Sequence, residues 1–258
     1  MMKFTLVPSA AHLAPNVRIR IARTEDQIQR AVAVRYQAYA ERLSGLASDV
    51  AIKEDLDRTL DPVILLAEDT NTSQIVATAR LNSGPGIRNL LAQIELPVSY
   101  NGDRLGYFSR MAAIGPPSVK KVARGLLHKA LLQICVAKQI DRMLLLVGNV
   151  RSKLYAPWGF SPVFPQDALV RPEIVHGRLV NLYQLETRKA EATVKGLSAP
   201  LYDFLFRTYH EEIEVFTSLS SISSRNVHAE SSQPLDSLEL HEGPSELLPS
   251  TRIRPSLI

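Results

Sequence analysis

Residues 106–160 read GYFSRMAAIGPPSVKKVARGLLHKALLQICVAKQIDRMLLLVGNVRSKLYAPWGF. The patterns in this stretch follow the order strand, basic loop, helix, strand, then a second helical stretch ending in an aromatic turn. Residues 106–114 predict a strand. In the following segment Leu126, Leu127, Ala130, Leu131, Ile134 and Cys135 recur at the 3.6-residue spacing that gives a helix one apolar face. The unbroken run MLLLV at 143–147 predicts a strand covered on both faces. Strand, helix and strand in that order form a βαβ unit, whose two strands run parallel.

The start of the helix carries the first chemical signal. Lys120, Lys121, Ala123, Arg124 and Gly125 crowd it, where a helix already presents free backbone N–H groups and the positive end of its dipole. Basic side chains disfavour the helix there unless an anion offsets them. Ala123 and Gly125 leave little side chain between such an anion and the backbone. On the residues alone, a basic helix start is also a common solvated feature.

Lys120-x-x-Ala123-x-Gly125 resembles the phosphopantetheine loop of the GNAT acyltransferase superfamily, which reads Gln/Arg-x-x-Gly-x-Gly/Ala. Asn149, Leu154, Tyr155, Gly159 and Phe160 follow the next strand at the spacing found in that superfamily. The resemblance implies an α/β (α+β) fold: a mixed, mostly antiparallel central sheet with a parallel, splayed fourth and fifth strand, flanked by helices. It implies a thioester donor, acyl-CoA or the phosphopantetheine of an acyl carrier protein. Lys120, Lys121, Ala123, Arg124, Gly125 and Asn149 would hold this donor, with the backbone of Met111, Ala112 and Ala113 polarising its carbonyl. Tyr155 would protonate the leaving thiolate. Read without the resemblance, Tyr155 and Phe160 pack a helix end, with Gly159 as its left-handed cap.

Upstream, residues 17–22 alternate as a first strand. Thr24-Glu25-Asp26-Gln27 is a capping box that starts a helix reaching about residue 43. Residues 63–69 and 75–82 predict a hairpin across a polar turn, and a short helix is expected over 89–95. Within these elements lie Arg35-x-x-x-Tyr39, the acids Glu54, Asp55 and Asp57, Arg80-Leu81, and Ser109-Arg110. Their order is similar to that in the acyl-homoserine-lactone synthases and the related long-chain N-acyl amino acid synthases. That likeness spans residues 17–186. It implies a substrate site at Arg35, Tyr39, Glu54, Asp55, Asp57 and Tyr107, with Arg80 and Arg110 beside the chemistry. The chain departs from the pattern at Tyr107, where relatives carry a glutamate that handles the amine. Glu54, Asp55, Asp57, Glu95 and Asp103 are the carboxylates left as candidate bases, and Tyr107 titrates too high for that role.

The chain has 258 residues, 45% of them hydrophobic, enough for one substantial core. The organisation expected is a flexible leader over 1–15, an acyltransferase-like domain over 16–189, a helix over 197–216 within a C-terminal 190–216 segment packed on it, and a disordered, Ser- and Pro-rich tail over 217–258. The net charge is +4, yet the tail holds five acidic and three basic residues, so the positive excess lies in the body. An anionic nucleotide cofactor or an acidic carrier protein fits that balance. Nucleic acid fits poorly, because the basic residues are scattered and not interleaved with aromatics. The lone cysteine, Cys135, excludes a disulfide framework and falls on the apolar helix face. No apolar run approaches a membrane span, no His/Cys spacing marks a metal site, and the expected location is the cytoplasm, as a monomer or homodimer.

Three functions remain open at this level. One is transfer of a fatty acyl group to an amino acid or similar small amine. Another is short-chain acetyl transfer from CoA to a small amine or protein. The last is binding of an acyl donor without catalysis, which the absence of the glutamate at Tyr107 keeps open.

Overall fold

A computed structural model of the chain describes residues 17–41, 54–148, 154–165, 169–172, 175 and 178–216. The expected leader, the tail from 217 and Asn149 lie outside them. Seven strands form one mixed sheet in the order β1-β2-β3-β4-β5-β7-β6. They are β1 (Val17–Ile21), β2 (Val63–Asp69), β3 (Ile75–Ser83), β4 (Leu105–Ala113), β5 (Arg142–Val147), β6 (Ser161–Pro162) and β7 (Asn181–Glu186). Every neighbouring pair is antiparallel except β4 and β5, which run parallel as the βαβ pattern requires.

Among the described residues, five α-helices flank the sheet: α1 (Glu25–Ala40), α2 (Ile87–Leu90), α3 (Pro117–Ala137), α4 (Ala190–Leu197) and α5 (Ala199–Tyr202). The capping box at the start of α1 forms: the Thr24 side chain accepts from the Gln27 N–H, and the Gln27 side chain accepts from the Thr24 N–H. Two helices end sooner than their patterns predict. α1 stops at Ala40, and α2 is a single turn that ends at Leu90, short of residue 95.

Alternation along the strands sorts the core into layers. Leu65, Ala79, Leu81, Phe108, Met143 and Leu145 pack with Leu127, Leu131, Ile134 and Cys135 of α3. Cys135 is a core residue whose thiol burial pushes up to about 12, far from a reactive thiolate. On the other face, Ile64 and Leu66 meet Ala31, Val34 and Ala38 of α1. Farther along, Leu105, Tyr107, Leu144 and Leu182 meet Ile87 and Leu91. The polar residues Thr78, Arg80 and Asn82 of β3 are buried, spaced two apart between the alanines and leucine that face α3.

The single helix predicted over 197–216 does not form. α5 gives way to a wide π turn, Asp203–Arg207, and then to extended chain. The buried Lys129 ammonium ends the helical path by donating to the carbonyls of Phe204, at 2.7 Å, and Thr208. Beyond it the Ile19 N–H donates to the Glu212 carbonyl at 2.7 Å, and the Glu214 N–H to the Ile19 carbonyl at 2.8 Å. The chain therefore covers the open edge of β1, where unpaired N–H and C=O groups are otherwise exposed, and seats Val215 in the core.

Candidate functional site

Two irregularities in β4 open the sheet. It pairs with β5 only from Leu105↔Arg142 to Phe108↔Leu145, although both strands continue, so they diverge beyond Phe108. On its other side the register moves from Thr78↔Ala112 to Arg80↔Ser109. Arg110 and Met111 thus share one opposing residue, Ala79, in a β-bulge. Arg110 takes φ +55°, and the bulge re-aims its side chain.

That side chain enters an ion network built from four separate segments. Arg35, from α1, donates twice to Asp57, 2.8 Å to each carboxylate oxygen. Arg80, from β3, donates at 2.8 Å to Glu54, at 2.9 Å to Asp57 and at 3.1 Å to Ser109 Oγ. Arg110 grips Glu54 through Nε at 2.8 Å and through its terminal nitrogen. Glu54 and Asp57 bracket one 3-10 turn, Asp55–Asp57, and the Glu54 N–H donates to Asp57 at 3.1 Å.

Burial alone would raise both carboxyls. For Glu54 the hydrogen bond and charge of Arg110, with Arg80 and Arg35, outweigh it; for Asp57 the charges of Arg35 and Arg80 do so, and both stay ionised. Among the described residues, three guanidiniums against two carboxylates leave one positive charge over. Nε and one terminal nitrogen of Arg35 are buried without a hydrogen-bond partner among the described residues, as are Thr78 Oγ1 and Asn82 Oδ1.

Tyr107 lies within electrostatic reach of this network and of Tyr39 and is 4% exposed. Burial pushes its phenol to about 12, so it is no base. The other acids stand apart from the network. Asp55 and Glu95 are exposed, and Asp103 is paired with Arg142.

On the α3 face of the divergence sit five rings. Phe108, the last β4 residue paired with β5, contacts His128, Tyr155 and Phe160 at centroid distances of 5.8, 6.3 and 6.3 Å. His128 stacks on Trp158 at 4.3 Å, nearly parallel. After a short turn, Ala156–Trp158, Gly159 caps the segment at φ +87°, the left-handed conformation expected of it.

The basic helix start differs in detail from expectation. α3 begins at Pro117, so its first turn ends at Lys120, and Lys121, Ala123, Arg124 and Gly125 fall later. Lys120 lies 3.6 Å from Glu41, Lys121 is exposed and Arg124 half-buried. Ala123 and Gly125 turn inward. A Cβ on Gly125 would come within 3.3 Å of the Phe204 ring, so small residues here let the C-terminal turn close on α3.

Two polar residues that sequence reasoning passed over are prominent. Asn82 Nδ2 donates to the carbonyls of Leu56 and Thr59, at 2.7 and 2.9 Å, and ties the acidic segment to β3. His128 looks like one more position on a helix in the sequence, but it lies in the aromatic cluster. Burial, chiefly, lowers its pKa to about 4. Because its folded pKa is depressed below the ordinary 6.5, its neutral form stabilises the fold fully above pH 6.5, and this is lost as pH falls toward 4. The stability difference between wild type and His128→Phe should therefore shift by about 3 kcal/mol between pH 7 and pH 4, measured by urea unfolding; a pH-independent difference would contradict the buried neutral ring.

Among the described residues no group of His, Cys, Asp or Glu is arranged to hold a metal, and no helix is long and apolar enough to cross a membrane. No family model matches the sequence, and no curated protein matches it. Solved structures do. FeeM, an N-acyl amino acid synthase from uncultured soil microbes, superposes with a TM-score of 0.55 at 12% identity, covering 70% of this chain and 98% of its own. BjaI, a CoA-dependent acyl-homoserine lactone synthase solved with MTA, gives 0.50 at 18% identity, covering 72% and 89%. With its parallel β4/β5 pair in a mixed seven-stranded sheet flanked by helices, the chain has the GNAT-like fold found in N-acyl amino acid and acyl-homoserine lactone synthases.

Proposed function

We propose that this protein is an N-acyltransferase that moves a fatty acyl group from a CoA or carrier-protein thioester to the amine of an amino acid. The observation that carries this reading is the pairing of two unlike sites across one strand. Where β4 leaves β5, an aromatic cluster holding Tyr155 lies on one face and the guanidinium-rich network on the other. An uncompensated buried charge is costly, and an acceptor with a carboxylate would neutralise it at the unpartnered nitrogens of Arg35.

In this mechanism the thioester lies in the β4/β5 gap, its carbonyl polarised by backbone N–H groups at Met111 to Ala113. The neutral amine attacks the carbonyl carbon, the C–S bond breaks, and Tyr155 gives its proton to the departing sulfur. The proton lost by the nitrogen restores the phenol. Glu54 is bound by Arg110 and Arg80 and Tyr107 is held protonated, so the acceptor sheds its ammonium proton to solvent before attack.

Lys120, Lys121 and Arg124 bind the donor phosphate in this reading. Arg124→Ala should raise the donor KM about five- to tenfold, the loss of one charge-assisted contact, with kcat within twofold; steady-state kinetics with acyl-CoA decide. The function itself is tested by mass spectrometry of lipid extracts from bacteria expressing the protein. New amide-linked fatty acyl products, absent with Tyr155→Phe, are the expected result and identify the amine. An unchanged lipid profile overturns the long-chain reading in favour of short-chain acetyl transfer or donor binding alone.

A further inference from the structure

We propose that Nε2 of His128 is the hydrogen-bond acceptor that positions the donor's pantetheine arm by taking an amide N–H from it. This rests on the thioester-donor reading and adds a positioning residue to it.

The tautomer is set by geometry. Nδ1 lies 2.8 Å from the Arg124 carbonyl, which only accepts, so Nδ1 carries the hydrogen and Nε2 keeps its lone pair. Nε2 is buried and has no partner among the described residues. A buried acceptor left unpaired is unfavourable, and its persistence in a packed cluster points to a donor that arrives with a ligand. The ring cannot turn away to solvent: it is stacked on Trp158 and meets the Phe108 ring edge-on.

Position selects the ligand. His128 is one helical turn beyond Arg124, and it touches Phe108, after which β4 and β5 part. An arm reaching from the basic start of α3 to that gap passes it, with Tyr155 at 6.1 Å between ring centroids. Pantetheine carries two amides, each with one N–H to give. Phosphate oxygens, the thioester carbonyl and the sulfur of an acyl donor have no hydrogen to give, so an acceptor at this place suits the arm and not its ends. Desolvation keeps His128 neutral, with a pKa of about 4, so the lone pair is available throughout the physiological range.

Trp158 is the only tryptophan in the chain, and its stacking on His128 makes its fluorescence a local reporter. The full chain is titrated with CoA, with pantetheine, and with adenosine 3′,5′-bisphosphate, which lacks the arm; calorimetry checks each affinity. His128→Phe keeps a flat ring against Trp158 and removes Nε2, whereas His128→Gln keeps a carbonyl acceptor. His128→Phe should weaken CoA and pantetheine about tenfold, the worth of one hydrogen bond, and leave the bisphosphate unchanged. His128→Gln should recover much of that loss. In turnover, His128→Phe should raise the donor KM with kcat nearly intact.

Full pantetheine affinity in His128→Phe overturns the proposal while sparing the donor reading. Equal losses for all three ligands, with a lowered Tm, also overturn it and leave His128 a packing residue. Wild-type protein that binds none of the three, nor a phosphopantetheinylated acyl carrier protein, overturns both readings together.

Discussion

Asp57→Ala is expected to cost about 3–5 kcal/mol of stability, the range for breaking a buried ion pair on one side, and to lower Tm by roughly 10 °C. Asp57 is 2% exposed and receives three guanidinium hydrogen bonds, two from Arg35 and one from Arg80. Arg80 retains Glu54 and Ser109 after the change, but Arg35, 1% exposed, loses both of its acceptors. A guanidinium cannot escape by giving up its proton at neutral pH. Removing both partners tests the same physics from the other side. Arg35→Met with Asp57→Leu should be more stable than Asp57→Ala alone, because no buried charge is then stranded. Thermal unfolding of the three proteins decides; an Asp57→Ala protein within about 1 kcal/mol of wild type would mean that water reaches the network and that its charges are not buried. Because the network also furnishes the proposed acceptor site, Asp57→Ala should abolish product formation at temperatures where the protein stays folded.

Tyr155→Phe is expected to lower kcat by a factor on the order of 10²–10⁴, the usual contribution of a positioned general acid, with the donor KM changed less than threefold. The substitution removes one oxygen and keeps the ring that packs against Phe108, His128 and Phe160, so folding and donor affinity should survive. The contrast with His128→Phe separates the two roles: one acts on the leaving sulfur, the other on the arm that carries it. The distinction is read from kcat against KM in the same assay. An unaltered kcat for Tyr155→Phe would remove Tyr155 from the chemistry and leave thiolate departure unassisted. A donor with a more acidic thiol supplies a second check, since its leaving group needs the proton less and the loss in Tyr155→Phe should shrink.

Much of this was legible before any coordinates. The strand predicted over 106–114 is Leu105–Ala113, the run at 143–147 is Arg142–Val147, and the Thr24 capping box starts α1 where expected. These signals are local: side-chain periods of 2 and 3.6, and cap hydrogen bonds spanning three residues. The GNAT-like fold was implied by a resemblance of motifs carried on these elements, Lys120-x-x-Ala123-x-Gly125 and Tyr155 with Gly159-Phe160, and Cys135 was readable as core from its place on an apolar face.

What the sequence lacked was the third dimension of its polar residues. It listed Arg35, Glu54, Asp57, Arg80 and Arg110 but not their pairings, and it gave Asp55 equal standing though that side is exposed. The helix expected to run to residue 216 failed because what stops it is remote: Lys129 of α3 holds the turn's carbonyls, and the edge of β1 takes up the chain that follows. Asn82 and His128 were unremarkable letters within a strand and a helix. Local periodicity indicated the βαβ core of this protein, and the resemblance of its motifs implied the fold around that core. Only the tertiary structure decided which charges neutralise one another and which buried atoms have no partner among the described residues, because burial and pairing depend on chain segments that are distant in sequence.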